Sequence, residues 1–204
     1  ARTACINRLR GLLSELGIVL PLKAATVRRE AGAALEDLPG WANTVVGDLL
    51  SELHRLDERI AQYDRHITAI AREDERAKAL MRLSGVGPTT ATAILAMIGN
   101  GHEFKCGRQF AAWLGLTPGQ YSSGGKTRLG RITKAGDGYV RSLLILGARA
   151  VLAAAKNKAD GLSRWATALE QRRGYWKAVV AIAAKNARLC WAMLARGEQF
   201  KLPA

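Results

Sequence analysis

The chain has 204 residues, and its 49% apolar content is enough to build a substantial packed core and excludes wholesale disorder. Its 31 lysines and arginines outnumber 17 acidic residues and give a net charge of +14, which indicates a polyanionic partner, either nucleic acid or an anionic membrane surface. The most apolar segments, 143–155 and 175–194, are interrupted by Arg149 and by Lys177, Lys185 and Arg188. They therefore predict buried helices, and we expect no membrane partner.

Cysteine and histidine spacing predicts neither a disulfide framework nor a metal site in this chain. The three cysteines are far apart and form no CxxC pair, and the histidines have no ligand spacing with a cysteine or carboxylate cluster. The residues concerned are Cys5, Cys106, Cys190, His54, His66 and His102. This usage is typical of a protein in a reducing cytoplasm.

The first forty residues predict two short helices. An amphipathic pattern covers 3–17 and is broken at Pro21, and a second helix around 24–36 ends where Pro39 and Gly40 interrupt the chain. The chain starts without a methionine and with a helix already under way, so we expect a further domain upstream.

A heptad pattern follows the two short helices. Apolar residues recur in alternating steps of three and four over about three heptads, and charged residues fill the positions between them. The apolar positions are Val46, Leu49, Leu53, Leu56, Ile60, Tyr63, Ile67 and Ile70. The stripe is explained either by a helical hairpin with an earlier segment of the same chain or by a dimerising coiled coil. We favour the coiled coil.

The segment 83–99, LSGVGPTTATAILAMIG, predicts a glycine turn that leads into a helix. Gly85 and Gly87 flank Val86, and Pro88 stands where a helix would begin. Such a turn exposes backbone N–H groups beside a positive helix N-terminus, which suits a phosphate oxygen. It is similar to the helix-hairpin-helix element of sequence-tolerant DNA-binding proteins, although a GxG between helices is also found in plain connectors.

The segment from Phe104 to Gly136 contains no acidic residue. Its cations alternate with glycines and hydroxyl residues, so a phosphate backbone is their natural counter-ion. The cations that we predict to contact nucleic acid are Arg108, Lys126, Arg128, Arg131 and Lys134. Tyr121 could stack on bases, whereas helical core packing is the better explanation for Phe110 and Trp113.

Within this segment, the loop 119–136 excludes two familiar catalytic motifs. A Walker A motif ending in Gly125 and Lys126 needs a glycine at position 120, where the chain has Gln120, and no G-x-S-x-G elbow is present. A serine that attacks a phosphodiester fits better, because neighbouring cations can stabilise the charge that develops on the phosphoryl oxygens. The chemistry alone leaves both Ser122 and Ser123 as candidates.

The last third of the chain predicts three more helices, at 137–157, about 162–173 and about 175–196. We interpret its tryptophans, Trp165, Trp176 and Trp191, as packing anchors. Lys156, Lys158, Arg172 and Arg173 either extend a nucleic-acid surface or are simply solvated.

Five motifs occur in a fixed order: GVGPTTA, GRQFAAWLGLTP, YSSGGK, GRITKAGDGYVRSLL and GARAV. Together they resemble the C-terminal transposase domain of the IS one-ten type of bacterial insertion sequence, including the IS eleven-eleven subgroup and the related pilin-gene invertases. The match covers about seventy residues strongly, and the upstream helices resemble the linker region of the same proteins.

The resemblance implies a DNA recombinase that uses a catalytic serine, and the Y-x-S-G pattern of the family falls on Ser123, with Ser122 at the variable position. It further implies a guide non-coding RNA, donor and target DNA as partners, and assembly into dimers and tetramers. An N-terminal RuvC-like domain with a DEDD carboxylate set would bind Mg²⁺. We expect that domain to be missing from this chain and therefore expect no cofactor here.

We therefore predict a mainly α protein in which a long coiled-coil helix precedes a compact helical domain with a helix-hairpin-helix-like element and a basic Gly/Ser loop. The predicted segments are 1–40, the end of the linker; 41–82, the oligomerisation helix; and 83–204, the transposase domain. The expected location is the bacterial cytoplasm, at the nucleoid. Two alternatives stay open: a non-catalytic nucleic-acid-binding and dimerisation module, and a helical oligomerisation adaptor.

Overall fold

The structure of the chain is a computed structural model that describes residues 1–198, apart from the side chain of Ala24. These residues form nine α-helices and one two-stranded sheet, which confirms the prediction of a mainly α fold. The helices are α1 (Arg2–Glu15), α2 (Ala24–Ala33), α3 (Gly40–Glu73), α4 (Glu75–Met81), α5 (Pro88–Ile98), α6 (Gly107–Trp113), α7 (Gly138–Ala155), α8 (Gly161–Arg173) and α9 (Tyr175–Arg196). The strands are β1 (Pro118–Gln120) and β2 (Leu129–Ile132), and a short 3₁₀ helix spans Ala34–Asp37.

The chain divides into two compact units, residues 1–66 and the residues from 67 onward. In the first unit, α1, α2 and the N-terminal part of α3 share one apolar cluster that includes Leu9, Leu13 and Val27. Polar contacts fix the same packing, because Arg2 and Arg28 both form salt bridges with Asp57 of α3. The division of the chain into a linker, an oligomerisation helix and a transposase domain, at 1–40, 41–82 and 83–204, stays a prediction.

The heptad stripe is confirmed as one face of a single helix, but its first half packs inside the chain. Val46 and Leu53 are fully buried in the cluster with α1 and α2, and Leu49 and Leu56 pack against that cluster. We predicted that Leu49, Leu53 and Leu56 contact a second protomer. The structure corrects this prediction, because side chains of α1 and α2 already cover them. The helical-hairpin interpretation holds there.

The second half of the stripe is different, since Ile60, Tyr63 and Ile70 are exposed. The prediction of a dimer or tetramer keeps this part of the helix as its candidate contact. The helix also stops earlier than the predicted segment 41–82. It ends at Glu73, and the Asp74 carboxylate accepts hydrogen bonds from the backbone N–H of Arg76 and Ala77 and so starts α4.

The core of the second unit is built around α9. This helix packs against α6, α7 and α8, and α5 packs against α7. The predicted helices at 137–157, 162–173 and 175–196 correspond to α7, α8 and α9 and are confirmed. By length and composition alone, α7 and α9 are also long and apolar enough to cross a membrane. Their buried apolar residues belong to a single cluster, which accounts for that composition.

The three tryptophans predicted as anchors have different environments. Trp191 is buried, and its indole N–H donates a 2.9 Å hydrogen bond to the Gly101 carbonyl, which confirms its role. Trp165 packs against the core beneath Lys185, whose Nζ lies 4.7 Å from its ring centroid. The prediction is wrong for Trp176, which is 64% exposed. It is the second residue of α9, ahead of the first buried residue of that helix, Ala178.

Glycine allows the turn between α4 and α5 to approach α7 very closely. Gly85 has a φ of +85°, and a Cβ atom there would lie 2.7 Å from the Gly147 carbonyl oxygen. A Cβ atom on Gly147 would lie 1.9 Å from the Gly85 carbonyl oxygen. Buried Asn186 secures the turn by donating a 2.9 Å hydrogen bond to the Ser84 carbonyl. A backbone contact of this kind is possible only when neither residue carries a side chain.

Candidate nucleic-acid interface

The basic loop 119–136 contains an antiparallel β-hairpin. Strands β1 and β2 pair, and an isolated bridge joins Ser123 to Lys126 beyond them. Gly124 and Gly125 form the two-residue turn and have φ angles of +57° and +76°, as a type I′ turn requires. The dipeptide Gly-Gly between Ser123 and Lys126 was the sequence signal for this hairpin. The strands themselves are three and four residues long and largely exposed, so they leave no burial pattern to predict them.

Two glycines hold the base of the hairpin against the end of α6. A Cβ atom on Gly115 would lie 2.4 Å from the Ala135 nitrogen, and one on Gly136 would lie 2.0 Å from the Trp113 carbonyl oxygen. Trp113 is partly exposed, but its ring lies against Phe104 and buried Phe110, which ties this anchor to the core. The core role predicted for Phe110 is confirmed.

Arg141, which sequence reasoning missed, joins the hairpin base to α7. Its Nη1 donates hydrogen bonds to the carbonyl oxygens of Leu114 at 3.1 Å and Ala135 at 2.9 Å, with longer contacts to those of Gly136 and Asp137. One guanidinium thus collects carbonyl groups from the end of α6 and from the segment that leads into α7. Nothing in the local sequence distinguishes this arginine from a solvated one.

The strand register places Ser123 on the same face of the hairpin as two cations. The Tyr121 N–H donates to the Arg128 carbonyl at 2.8 Å, and the Lys126 N–H donates to the Ser123 carbonyl at 3.1 Å. Residues directly opposite each other, and residues two apart on a strand, project from the same face. Tyr121, Ser123, Lys126 and Arg128 therefore share one face, while Ser122 projects from the other.

The two candidate serines differ in their hydrogen bonds. The Ser122 hydroxyl accepts a bond from Gln120 Nε2 at 2.8 Å and a longer one from the Arg128 N–H at 3.4 Å. No residue in the described part of the chain forms a hydrogen bond with the Ser123 hydroxyl, and this serine is exposed near the tip of the hairpin. Ser122 thus helps to hold the two strands together, whereas Ser123 is available to a ligand.

Two other cations that we predicted to contact nucleic acid lie in or beside the hairpin. Arg131 lies in β2, and Lys134 lies at the base, where its N–H donates to the Gly115 carbonyl at 3.2 Å. Within residues 1–198, none of the hairpin cations forms a salt bridge with a carboxylate. Their positive charge is therefore not neutralised within the described chain.

Arg108, Gly85 and Gly87 lie on other elements. Arg108 is exposed on α6 beside a depression that Arg188 and Arg196 of α9 also line. Gly85 is explained by its contact with α7, and Gly87, which is exposed, precedes Pro88 at the start of α5. Their predicted nucleic-acid contacts stay predictions.

A divalent metal requires a cluster of oxygen or nitrogen ligands. Across residues 1–198, no three His, Cys, Asp or Glu side chains lie close enough together to hold a metal ion. The resemblance places its Mg²⁺ site in a domain outside this chain, so that expectation stays a prediction. The steps proposed below use only side chains of this chain.

The fold and the hairpin together describe a basic helical protein with an exposed serine and with hairpin cations that form no salt bridge within residues 1–198. Residues 77–163 match the family described as "Transposase IS116/IS110/IS902 family". Over this segment the chain is similar to that transposase family.

Several relatives carry matching names. The chain is 47% identical over 201 residues to a "Probable family 20 transposase" of Pseudomonas aeruginosa, a match that covers 96% of this chain and 60% of the relative. It is 40% identical over 208 residues to the "Transposase for insertion sequence element IS1111A" of Coxiella burnetii, covering 100% of this chain and 57% of the relative. The corresponding transposase of element IS1328 from Yersinia enterocolitica is 30% identical over 200 residues, covering 98% of this chain and 60% of the relative. The chain thus spans little more than half the length of these relatives.

Proposed function

We propose that this chain is the serine-bearing part of a DNA transposase in which Ser123 attacks a DNA phosphodiester. The observation that carries the proposal is the hairpin face on which the unbonded Ser123 hydroxyl lies beside Lys126 and Arg128. Similarity to a transposase family and to a relative named as a transposase supports DNA as the polyanion that this face meets. The serine directly precedes the Gly124–Gly125 turn, and glycine carries no side chain, so the backbone of the turn can come close to a phosphate.

The proposed step exchanges one ester for another. The Ser123 oxygen forms a bond to phosphorus while the bond between phosphorus and one deoxyribose oxygen breaks. The serine gives up its proton, and the departing deoxyribose oxygen takes up a proton to become a free hydroxyl. Attack by a hydroxyl of another DNA end reverses the step, rejoins the strands and restores the serine, so no external energy source is needed.

Lys126 and Arg128 act on the charge of this reaction. Negative charge grows on the non-bridging phosphoryl oxygens as the serine attacks, and the two cations on the same face of the hairpin stabilise it. Arg131, Lys134 and Arg108 lie further along the hairpin or on α6, and in this proposal they hold the DNA backbone. Gly85 and Gly87 contribute backbone contacts beside the N-terminus of α5.

The wider features of the resemblance are part of the same proposal. The whole protein would use a guide RNA to select donor and target DNA in the bacterial cytoplasm, at the nucleoid. A RuvC-like domain outside this chain would supply Mg²⁺, and protomers would associate through the exposed part of α3. Each of these features is independent of the attacking serine and needs its own test.

The serine is tested by strand exchange with the full-length transposase. We expect Ser123→Ala to lower the rate by at least about a thousandfold, because it removes the attacking atom. Ser122→Ala is the matched control and should stay within about tenfold of the unchanged protein, since it loses only hydrogen bonds within the hairpin. Mass spectrometry of trapped intermediates should find DNA esterified to Ser123.

Two outcomes would contradict this assignment. Loss of activity in Ser122→Ala with retention in Ser123→Ala would make Ser122 the nucleophile. Full activity in both variants would leave a non-catalytic nucleic-acid-binding module, and an oligomerisation adaptor would bind nucleic acid no better than its charge predicts.

A further inference from the structure

We infer that the corner between α8 and α9 is a stacking site for unpaired bases of single-stranded DNA. The inference rests on the proposed function for its choice of DNA as the nucleic acid. The corner consists of residues 171–177, QRRGYWK, and every one of them is exposed. Gly174, with a φ of +85°, separates the two helices and turns the chain there.

The aromatic rings at this corner are already ordered by contacts with a cation. The guanidinium carbon of Arg149 on α7 lies 5.9 Å from the centroid of the Trp176 ring, and its Nε donates a 3.2 Å hydrogen bond to the Tyr175 hydroxyl. The Tyr175 and Trp176 rings meet edge to face, with centroids 5.1 Å apart and an interplanar angle of 79°. The indole is thus held in place while 64% of the residue remains in solvent.

The residues around the corner are mostly positively charged, which favours an anionic partner. Helices α8 and α9 together carry seven lysines and arginines and one acidic residue, Glu170. Arg149, Arg172, Arg173 and Lys177 form no salt bridge within residues 1–198. Aromatic rings beside cations that track a phosphate backbone are the combination by which proteins bind unpaired strands.

A second exposed tryptophan of the same chain differs from Trp176 in the charge that surrounds it. Trp41 is 61% exposed and is the second residue of α3, just as Trp176 is the second residue of α9. Within five residues on either side, Trp41 has two acidic residues and no cation, whereas Trp176 has three cations and no acidic residue. Exposure and helix position are matched, and only Trp176 lies in a positive environment.

Unpaired DNA is the form that this geometry fits best. In a duplex the base faces are stacked on one another, so an exposed indole finds no free face to cover. A broken end with unpaired nucleotides, as strand exchange can produce, offers base faces and phosphates together. The corner would hold one of these ends while chemistry occurs at the hairpin.

The test compares variants of the full-length protein by fluorescence anisotropy with a labelled oligothymidine of about 20 nucleotides and with a duplex of the same length. We expect Trp176→Ala to weaken oligothymidine binding by about tenfold and duplex binding by less than about twofold, since stacking serves only the unpaired strand. Trp176→Phe keeps a ring and should recover most of the affinity. Trp41→Ala, the matched control, should change neither affinity.

A second pair of variants reports on the cations. Replacing Arg172 and Arg173 with glutamine should reduce the slope of log affinity against log salt concentration by about 1.4, which corresponds to two phosphate contacts on a single strand. Binding of an oligouridine of the same length is measured alongside. The inference is overturned if Trp176→Ala loses as much affinity for the duplex as for oligothymidine, or if its affinity for oligothymidine is unchanged. It is also overturned if Trp176→Ala loses more affinity for oligouridine than for oligothymidine. The third result would identify an RNA surface instead.

These experiments distinguish failure of the stacking site from failure of the proposed function. Ser123→Ala should bind oligothymidine as well as the unchanged protein does, because the hairpin serine is not part of the corner. If Ser123→Ala still exchanges strands, the proposed nucleophile is wrong while the stacking site stands. If Trp176→Ala binds oligothymidine normally, the stacking site is wrong while the nucleophile stands.

Discussion

Two glycine-rich turns of this chain predict nucleic-acid contact from sequence, and the structure gives them different physical roles. At Gly85 the missing side chain lets the turn touch the backbone of α7 at Gly147. At Gly124 and Gly125 nothing lies within 4 Å of an added Cβ atom, and glycine is needed only for its positive φ. The first turn is part of the packed core, and the second displays a serine. Glycine in a motif therefore indicates an unusual backbone without saying whether packing or a ligand requires it.

The largest effect that separates the two turns is expected from Gly147→Ala. The new Cβ atom would lie 1.9 Å from the Gly85 carbonyl oxygen, so α7 or the turn must move. We expect the free energy of unfolding to fall by more than about 3 kcal/mol, which is large for a single added methyl group in a core. Urea unfolding of the purified protein measures it.

Gly124→Ala is the control for that comparison. It meets no neighbouring atom and only places alanine in the left-handed region, so it should cost about 1–2 kcal/mol. Equal losses in the two variants would show that the core contact at Gly85 is not as tight as the geometry requires.

The next effect concerns the joint between the core and the hairpin. Arg141→Met removes the donor that holds the carbonyl groups of Leu114 and Ala135 and leaves a side chain of similar length. We expect a stability loss of about 2 kcal/mol, because these bonds involve a charged donor. Strand exchange should fall by a larger factor than the loss of folded protein explains, since the serine is less well positioned.

Arg131→Met is the matched control, because this hairpin arginine is exposed and its side chain has no bonded partner in the described chain. It should leave the urea midpoint unchanged. A variant of Arg141 that unfolds and reacts as the unchanged protein does would show that the hairpin is positioned by Gly115 and Gly136 alone.

Sequence predicted the helices well because apolar spacing records which face is buried, whether the partner lies in the same chain or in another. For the same reason the heptad stripe did not reveal that α1 and α2 cover Leu53. Trp176 was misassigned because aromatic residues in an apolar run are usually buried, while the first turn of α9 lies outside the core. Arg141 left no signal, since its partners are backbone carbonyl groups of distant residues.

The smallest expected effect is a difference between the core and the hairpin in how their stability depends on acidic pH. Hydrogen bonds from the Ser163 hydroxyl and from backbone N–H groups lower the pKa of the Asp160 carboxyl, which caps α8. A lowered folded-state pKa means that the stabilisation is present above the ordinary pKa of about 3.9 and disappears as the pH falls through the folded value. The hairpin residues 118–132 include no carboxylate, so they have no such dependence.

Thermal melts at pH 7 and pH 3 test this difference. Asp160→Ala should melt below the unchanged protein at pH 7. The gap should narrow at pH 3, because that pH is below the ordinary carboxyl pKa and the unfolded chain takes up a proton there. Ser163→Ala removes the hydroxyl that contributes most to the lowered pKa, so its loss of stability should begin at a higher pH than in the unchanged protein. A gap that stays constant from pH 7 to pH 3 would mean that the Asp160 side chain stabilises α8 equally well when neutral, and the charge on the cap would then have no part in holding the helix.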